Sequence, residues 1–184
     1  MIESLLFTIR FHSAFRVSTG TAGTGFDATV SLDDPLPASS LKGVMRAAAT
    51  HTLALPATLV DAVFGTTAAP CPWAWGTPMF SGQRDAPLIQ NRVSIDPFSG
   101  AARKDHLFRG QVLTATSAQF VVGPVLPLDS VDGAKHRLVL TASAHAVHAL
   151  GSQRRRGLGW VGVEGGVDLD DPAVRRLLDL RQGA

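Results

Sequence analysis

The chain has 184 residues, enough for one domain with a proper core but short for two. Hydrophobic residues make up 45% and charged residues only 17%, at a net charge of +2. Much of the surface is therefore uncharged loop, small residues or partner contact, and what matters is where the basic residues cluster. The single Cys71 excludes an internal disulfide framework and a cysteine zinc site, and no stretch reads as a signal peptide or membrane span, so a cytoplasmic protein without membrane contact is expected.

Residues 5–11 mix β-branched and aromatic side chains and alternate from Phe7, which predicts a strand with Arg10 on its exposed side, prolonged by Phe15, Arg16 and Val17. Residues 18–25 are a glycine- and threonine-rich loop, either a plain connector or a place where backbone approaches another polymer closely. Asp27 then opens a second expected strand, residues 28–32, followed by the turn Asp33-Asp34-Pro35. A lone carboxylate at such a junction is most often a turn former. Between a glycine-rich loop and a basic helix, Asp27 is also a candidate to ligate a divalent ion or assist a nucleophile.

Pro35 and Pro37 keep the next backbone extended, Ser39 or Ser40 is placed to cap, and Leu41, Val44, Met45 and Ala48 recur at helical spacing, predicting a helix to about Leu55. Lys42 and Arg46 lie one turn apart on its other face, beside the free N–H groups of the first turn. That arrangement is either an anion site or two solvated cations on a capped helix. Residues 58–64 predict a short helix closed by Gly65, and Pro70, Pro72, Trp73 and Trp75 a rigid aromatic bend of a kind that is more often core than base-stacking surface. Residues 77–81 allow a short strand.

From Leu88 the pattern changes to a protruding, mobile hairpin: residues 89–96, the turn Pro97-Phe98-Ser99-Gly100, and the return 102–108. Arg92, Arg103, Lys104, His106 and Arg109 give it a basic character suited to lying across a phosphate backbone, although a solvated hairpin reads the same way. Residues 112–125 hold another strand or strand pair, clearest at Phe120-Val121-Val122. The length of 135–150 and the following Gly151 favour a helix, in which His136, His145 and His148 lack metal-site spacing. In residues 151–159 the glycines flanking Arg154, Arg155 and Arg156 allow tight turns that expose N–H donors beside the guanidinium groups, a phosphate-gripping loop or, as the alternative, a solvated basic turn. An apolar strand, 160–164, and an amphipathic helix over about 172–181 finish the chain; that helix would cover the sheet or touch a neighbouring subunit.

In this order the segments resemble the RAMP superfamily of CRISPR-associated RNA-binding proteins, most closely the repeated backbone subunit of type III RNA-guided effector complexes. The likeness rests on Phe15-Arg16-Val17-Ser18 leading to Gly25-Phe26-Asp27, on residues 36–46, on Asn91–Asp96 with Phe98–Ala101, and on the glycine-rich 151–159 before the final strand. It implies an α+β fold with an RRM-like, ferredoxin-like core, a single domain over 1–184 with a β-hairpin thumb inserted at about 86–109. It further implies copies of the chain stacking with other effector subunits along a CRISPR guide RNA, thumbs that kink the guide–target duplex, and target-RNA cleavage that needs Mg²⁺ or another divalent cation. Asp27 matches the family's acid and would be both catalytic and metal-binding. Arg16, Ser39, Ser40, Lys42, Arg46, Arg92, Arg103, Lys104, Arg154, Arg155 and Arg156 would bind RNA. Arg16 stands where many relatives hold a His, and Gln111 where a Glu is often found. The alternatives are a non-catalytic structural or capping subunit of the same kind, a metal-independent guide-processing nuclease with His12 as general base, and an ordinary ligand-binding α+β domain.

Overall fold

Strand alternation sets the core. β1 (Leu5–Phe11) buries Leu5, Phe7 and Ile9 and turns Leu6, Thr8 and Arg10 to the opposite face. A computed structural model describes residues 2–18, 20, 22–81 and 86–183, so Thr19 and Thr21 of the glycine–threonine loop lie outside the described residues. After β1 come α1 (Ala38–Ala47), which runs on through a π-helical turn (Ala48–Thr52), and α2 (Ala57–Phe64). Two short strands follow, β2 (Trp73–Trp75) and β3 (Met79–Ser81), then the hairpin of β4 (Leu88–Ile95) and β5 (Ala102–Val112). β6 (Ser117–Pro124), α3 (Ser130–His145), β7 (Val161–Gly165) and α4 (Asp171–Gln182) complete the chain.

The main sheet is antiparallel in the order β2-β6-β1-β7, with β3 also on β6, so the first strand lies between the last two of the core. With α1 and α3 as the two connecting helices this is the ferredoxin-like α+β arrangement the resemblance implies. β4 and β5 form a separate two-stranded sheet, the expected hairpin.

One face of the main sheet is covered by helices. Phe7 and Phe120 stack at 5.2 Å beneath Leu41, Met45, Val139 and Leu140, and each such side chain stabilises the fold by about 1.5–3 kcal/mol. Trp73 and Trp75 belong to this core, as expected of them. A second, smaller core of Phe15, Val30 and Leu113 lies under the loops at the far end, where Phe15 stacks on Phe11 at 4.7 Å and on Phe80 at 6.0 Å. That small core ties the loop region to the sheet.

Several local expectations are corrected. Neither Ser39 nor Ser40 caps α1: Pro37 is the N-cap and its carbonyl takes the N–H groups of Ser40 and Leu41. Phe15, Arg16 and Val17 do not prolong β1, because the chain bends after Phe11 and Phe15 pairs with Leu113 instead. Residues 28–32 form no regular strand. They make only isolated bridges, Ala28 with Gly110 and Val30 with Ser18, before Ser31 Oγ caps the turn at Asp34 N–H. α3 starts earlier than expected because Asp129 caps it through Asp132 N–H, and α4 packs against α3 rather than on the sheet.

His136, on α3, is buried and accepts a hydrogen bond from the Trp73 indole N–H at Nδ1, 3.2 Å away. Burial pulls its pKa below the ordinary 6.5, Lys135 adding to this while Asp132 and Asp129 oppose it. The unfolded chain therefore binds a proton first, and stability falls as pH drops through about 6.5 toward the folded-state value. The thermal midpoint should decline more between pH 7 and 5 in the wild type than in His136→Gln, whose amide oxygen still accepts from Trp73. Identical profiles would contradict this.

Candidate nucleic-acid interface

Backbone contacts bring three distant segments to one edge of the molecule. The first is the short loop at Asp27. Gly23 and Phe26 exchange backbone hydrogen bonds around a tight turn, both at 3.0 Å. Asp27 N–H then donates to Arg109 O at 2.8 Å, and Asp27 Oδ2 accepts from Arg109 N–H at 2.7 Å. The exposed carboxylate is thus clamped to the root of the hairpin, where the Arg109 guanidinium lies over the Phe26 ring at 5.5 Å.

The hairpin itself is the second segment. Its turn is closed at the tip by hydrogen bonds: Asp96 accepts from the N–H groups of Ser99 and Phe98 and donates its own N–H to Ala101 O, and Phe98 is almost wholly exposed. Those hydrogen bonds hold the Asp96 carboxyl below its usual pKa. Between Val93, opposite Leu107, and Ile95, opposite Ala102, the register shifts, so that residues 103–106 face Ser94 alone. This bulge carries Arg103, Lys104 and His106, all exposed, with Asp105 at a left-handed φ of 59°. No pattern in the sequence marks the bulge.

The third segment is the arginine turn, Arg154–Arg156, one turn of 3-10 helix entered by Gln153 and left by Gly157, both left-handed. All three arginines are exposed. The flanking glycines do something other than free N–H groups for a ligand. Ser152 N–H donates to Arg16 O at 2.7 Å and Gly159 N–H to Ala14 O at 2.7 Å, so those donors are used inside the fold. A Cβ on Gly151 would meet Arg16 O at 2.1 Å and one on Gly159 would meet Leu150 O at 1.9 Å, and both residues have positive φ. The glycines are there because backbone lies on backbone.

Hairpin and arginine turn enclose a cleft of about 610 Å³, lined among others by Arg92, Asp105, Phe108, Gln153 and Arg156. Arg92 donates to Gln90 Oε1 at 3.0 Å and to Arg156 O at 3.4 Å across it.

The remaining residues expected to bind RNA fall elsewhere. Lys42 lies over the Trp75 ring at 5.5 Å, beside Arg46 in a second cleft that shares no lining residue with the first. Arg46 is engaged by Asp61 and by the carbonyl of Gly65, tying α1 to the end of α2. Ser39 is exposed and Ser40 half-buried in the first turn of α1. Arg16 is 1% exposed and donates to Gln111 O at 2.6 Å, so it does not reach the surface as expected. Gln111 takes Val30 N–H on its side-chain oxygen.

Asp27 is a single exposed carboxylate, and among the described residues no group of three His, Cys, Asp or Glu is placed to hold a metal ion. Mg²⁺ is commonly held by one or two carboxylates with water and phosphate oxygens completing its shell, so the chemistry of Asp27 fits one such ligand and no more. Among the described residues no helix is long and apolar enough to cross a membrane.

The chain combines a ferredoxin-like α+β core with a basic inserted hairpin and a glycine-flanked arginine turn. The chain belongs to the RAMP superfamily, whose family model matches residues 23–162. No curated protein sequence matches it. Its fold is similar to a chain of the cryo-EM structure of the Type III-B Cmr-beta bound to cognate target RNA, at 11% identity and a TM-score of 0.68, covering 97% of this chain and 98% of that one. A chain of the apo-state Type III-B Cmr-beta is similar at 11% identity and a TM-score of 0.65, over 91% and 98%.

Gly151→Ala and Gly157→Ala separate packing from conformation, since both positions have positive φ but only Gly151 meets other atoms. Gly157→Ala is expected to cost about 1 kcal/mol and Gly151→Ala at least about 3 kcal/mol by chemical denaturation. Equal costs would mean that the turn does not lie on residues 14–16.

Proposed function

We propose that the chain is a guide-RNA-binding backbone subunit of a type III CRISPR effector, working in the cytoplasm with copies of itself and with other subunits, and that it cuts target RNA. The observation that carries this reading is the clamp of Asp27 onto Arg109, which joins the one exposed acid of the loop to the root of the basic hairpin. Membership of the RAMP superfamily supports it, as does the fold likeness to a Type III-B complex bound to cognate target RNA.

The outward face of the sheet argues against the usual RRM mode, in which bases stack on aromatic side chains of the strands. In β1, β6 and β7 that face carries Leu6, Thr8, Arg10, Gln119, Val121 and Glu164 and no aromatic ring, although Trp160 lies exposed immediately before β7. Affinity then comes from phosphate contacts by Arg154, Arg155 and Arg156, by Arg103 and Lys104 on the bulge, and by Lys42 on α1, and these contacts carry no base specificity. The hairpin holds one phosphodiester of the target near Asp27. The ribose 2′-hydroxyl gives up its proton to water and attacks the adjacent phosphorus in line, the bond to the 5′-oxygen breaks as that oxygen takes a proton from water, and a 2′,3′-cyclic phosphate and a 5′-hydroxyl result. A divalent ion, when bound by Asp27 and phosphate oxygens, supplies charge stabilisation. Asp27 contributes position, because both its backbone and its carboxylate are tied to Arg109.

A second reading, a structural subunit that binds RNA without cutting, is favoured by the same hydrogen bond, which gives Asp27 a purely architectural use. Asp27→Asn decides between them, because the amide oxygen still accepts from Arg109 N–H while the charge is removed. With labelled target and guide-loaded complex, regularly spaced products in Mg²⁺ that vanish in EDTA and in Asp27→Asn are expected. Wild-type complex that binds target in Mg²⁺ and leaves it whole would establish the structural subunit.

Arg46→Gln is expected to lower the melting temperature and leave RNA affinity unchanged, since its guanidinium is held by Asp61 and Gly65. Arg154→Gln with Arg155→Gln should do the reverse, and should make the dependence of log K on log[salt] shallower by about one unit for each phosphate no longer neutralised. Both effects are read from melting curves and anisotropy titrations.

A further inference from the structure

Arg16 is the largest buried side chain outside the expected pattern, and its surroundings are unusual. Only 1% of it is exposed, its Nε donates to Gln111 O, and its Nη2 has no hydrogen-bond partner. The guanidinium lies over the Phe108 ring at 5.6 Å and against the backbone at Gly110, where a Cβ would come within 2.4 Å of Nη2. Its charged neighbour is another cation. Arg92, paired across the hairpin with Phe108, has a buried Nη1 that is also without a partner, and no ion pair joins a carboxylate of the described residues to either arginine. Burial, and then the charge of Arg92, lower the Arg16 pKa. Two adjacent guanidinium groups with unused donors, beside a cleft open to solvent, call for an anion with several acceptor oxygens.

We propose that the cleft between the hairpin and the arginine turn seats one phosphate group on Arg92 and Arg156, and that its charge compensates the Arg16–Arg92 pair, so that binding fixes the hairpin against the turn. Arg16 is then a positioning residue: it never touches the ligand, but its uncompensated charge makes the seat strongly electropositive. Asp105, on the other wall of the cleft, opposes the anion. As a phosphodiester seat this rests on the RNA-binding reading above; as a phosphate seat it does not.

The test has two arms. In the first, a labelled single-stranded oligoribonucleotide of about ten nucleotides is titrated by anisotropy across a range of salt, so that the slope of log K against log[salt] counts the phosphates neutralised. Arg92→Gln is expected to weaken binding about tenfold and to make the slope shallower by about one, and Asp105→Asn to tighten binding. In the second arm, inorganic phosphate is added at constant ionic strength. It should raise the melting temperature of the wild type, less that of Arg16→Gln, and not that of Arg92→Gln; should Arg16→Gln fail to fold, Arg92→Gln alone decides. RNA effects without a response to inorganic phosphate assign the seat to the polymer. A response to phosphate with no RNA binding keeps the seat and removes the RNA-binding reading. RNA bound by Arg92→Gln with wild-type affinity and slope, and no phosphate response that depends on Arg92, would overturn the seat while leaving the RNA-binding reading intact.

Discussion

Direct backbone contact between the glycine-flanked turn and residues 14–16 is the constraint on which the functional edge depends. Ser152 and Gly159 donate to Arg16 O and Ala14 O, and the absent Cβ atoms of Gly151 and Gly159 let the chains lie against each other. The same short stretch delivers Phe15 to the small core with Val30 and Leu113, and Arg16 to the hairpin root at Gly110. One bent segment after β1 therefore positions the arginine turn, the hairpin and the Asp27 loop together. The ferredoxin-like sheet supplies the platform, but the edge is held by its own smaller core and its own hydrogen bonds.

A weakly charged protein can still bind a polyanion when its cations are gathered in one place. The net charge is only +2, yet Arg92, Arg103, Lys104, Arg154, Arg155 and Arg156 all lie on the hairpin and the arginine turn. The hairpin stands apart from the main sheet and leaves Leu88, Ile89, Val93, Ile95, Phe98 and Leu107 exposed. Apolar side chains on a free-standing basic hairpin suit an element completed by another molecule rather than by its own core.

Much of this was legible in the sequence because its signals are local. Alternation in residues 5–11, the Pro-Phe-Ser-Gly turn and the Asp-Asp-Pro start of the last helix each encode an element by themselves, and the order of glycine and arginine motifs points to the superfamily. What misled was everything decided by contacts between distant segments. From the sequence, which carries no burial, Arg16 and Arg46 are expected to contact RNA, yet Arg16 is enclosed at the hairpin root and Arg46, half-exposed on α1, is tied to Asp61 of α2. Residues 28–32 alternate like a strand, but among the described residues they pair only at isolated bridges, Ala28 with Gly110 of β5 and Val30 with Ser18. The glycines of 151–159 suggested donors for a ligand; in the fold Gly151 and Gly159 are close-approach positions, while Gly157 serves only its left-handed φ. The tie between Asp27 and Arg109 joins residues far apart in the chain and had no local signal at all.

The central claim is that RNA lies along the edge formed by the Asp27 loop, the hairpin and the arginine turn, and not on the open face of the sheet. Ultraviolet crosslinking of bound RNA, with the crosslinked peptides identified by mass spectrometry, tests it most directly. Crosslinks are expected in residues 23–27, 88–112 and 151–159. Crosslinks concentrated on β1 and β6, around Leu6, Thr8, Gln119 and Val121, would contradict the account and return the protein to the ordinary RRM mode of binding.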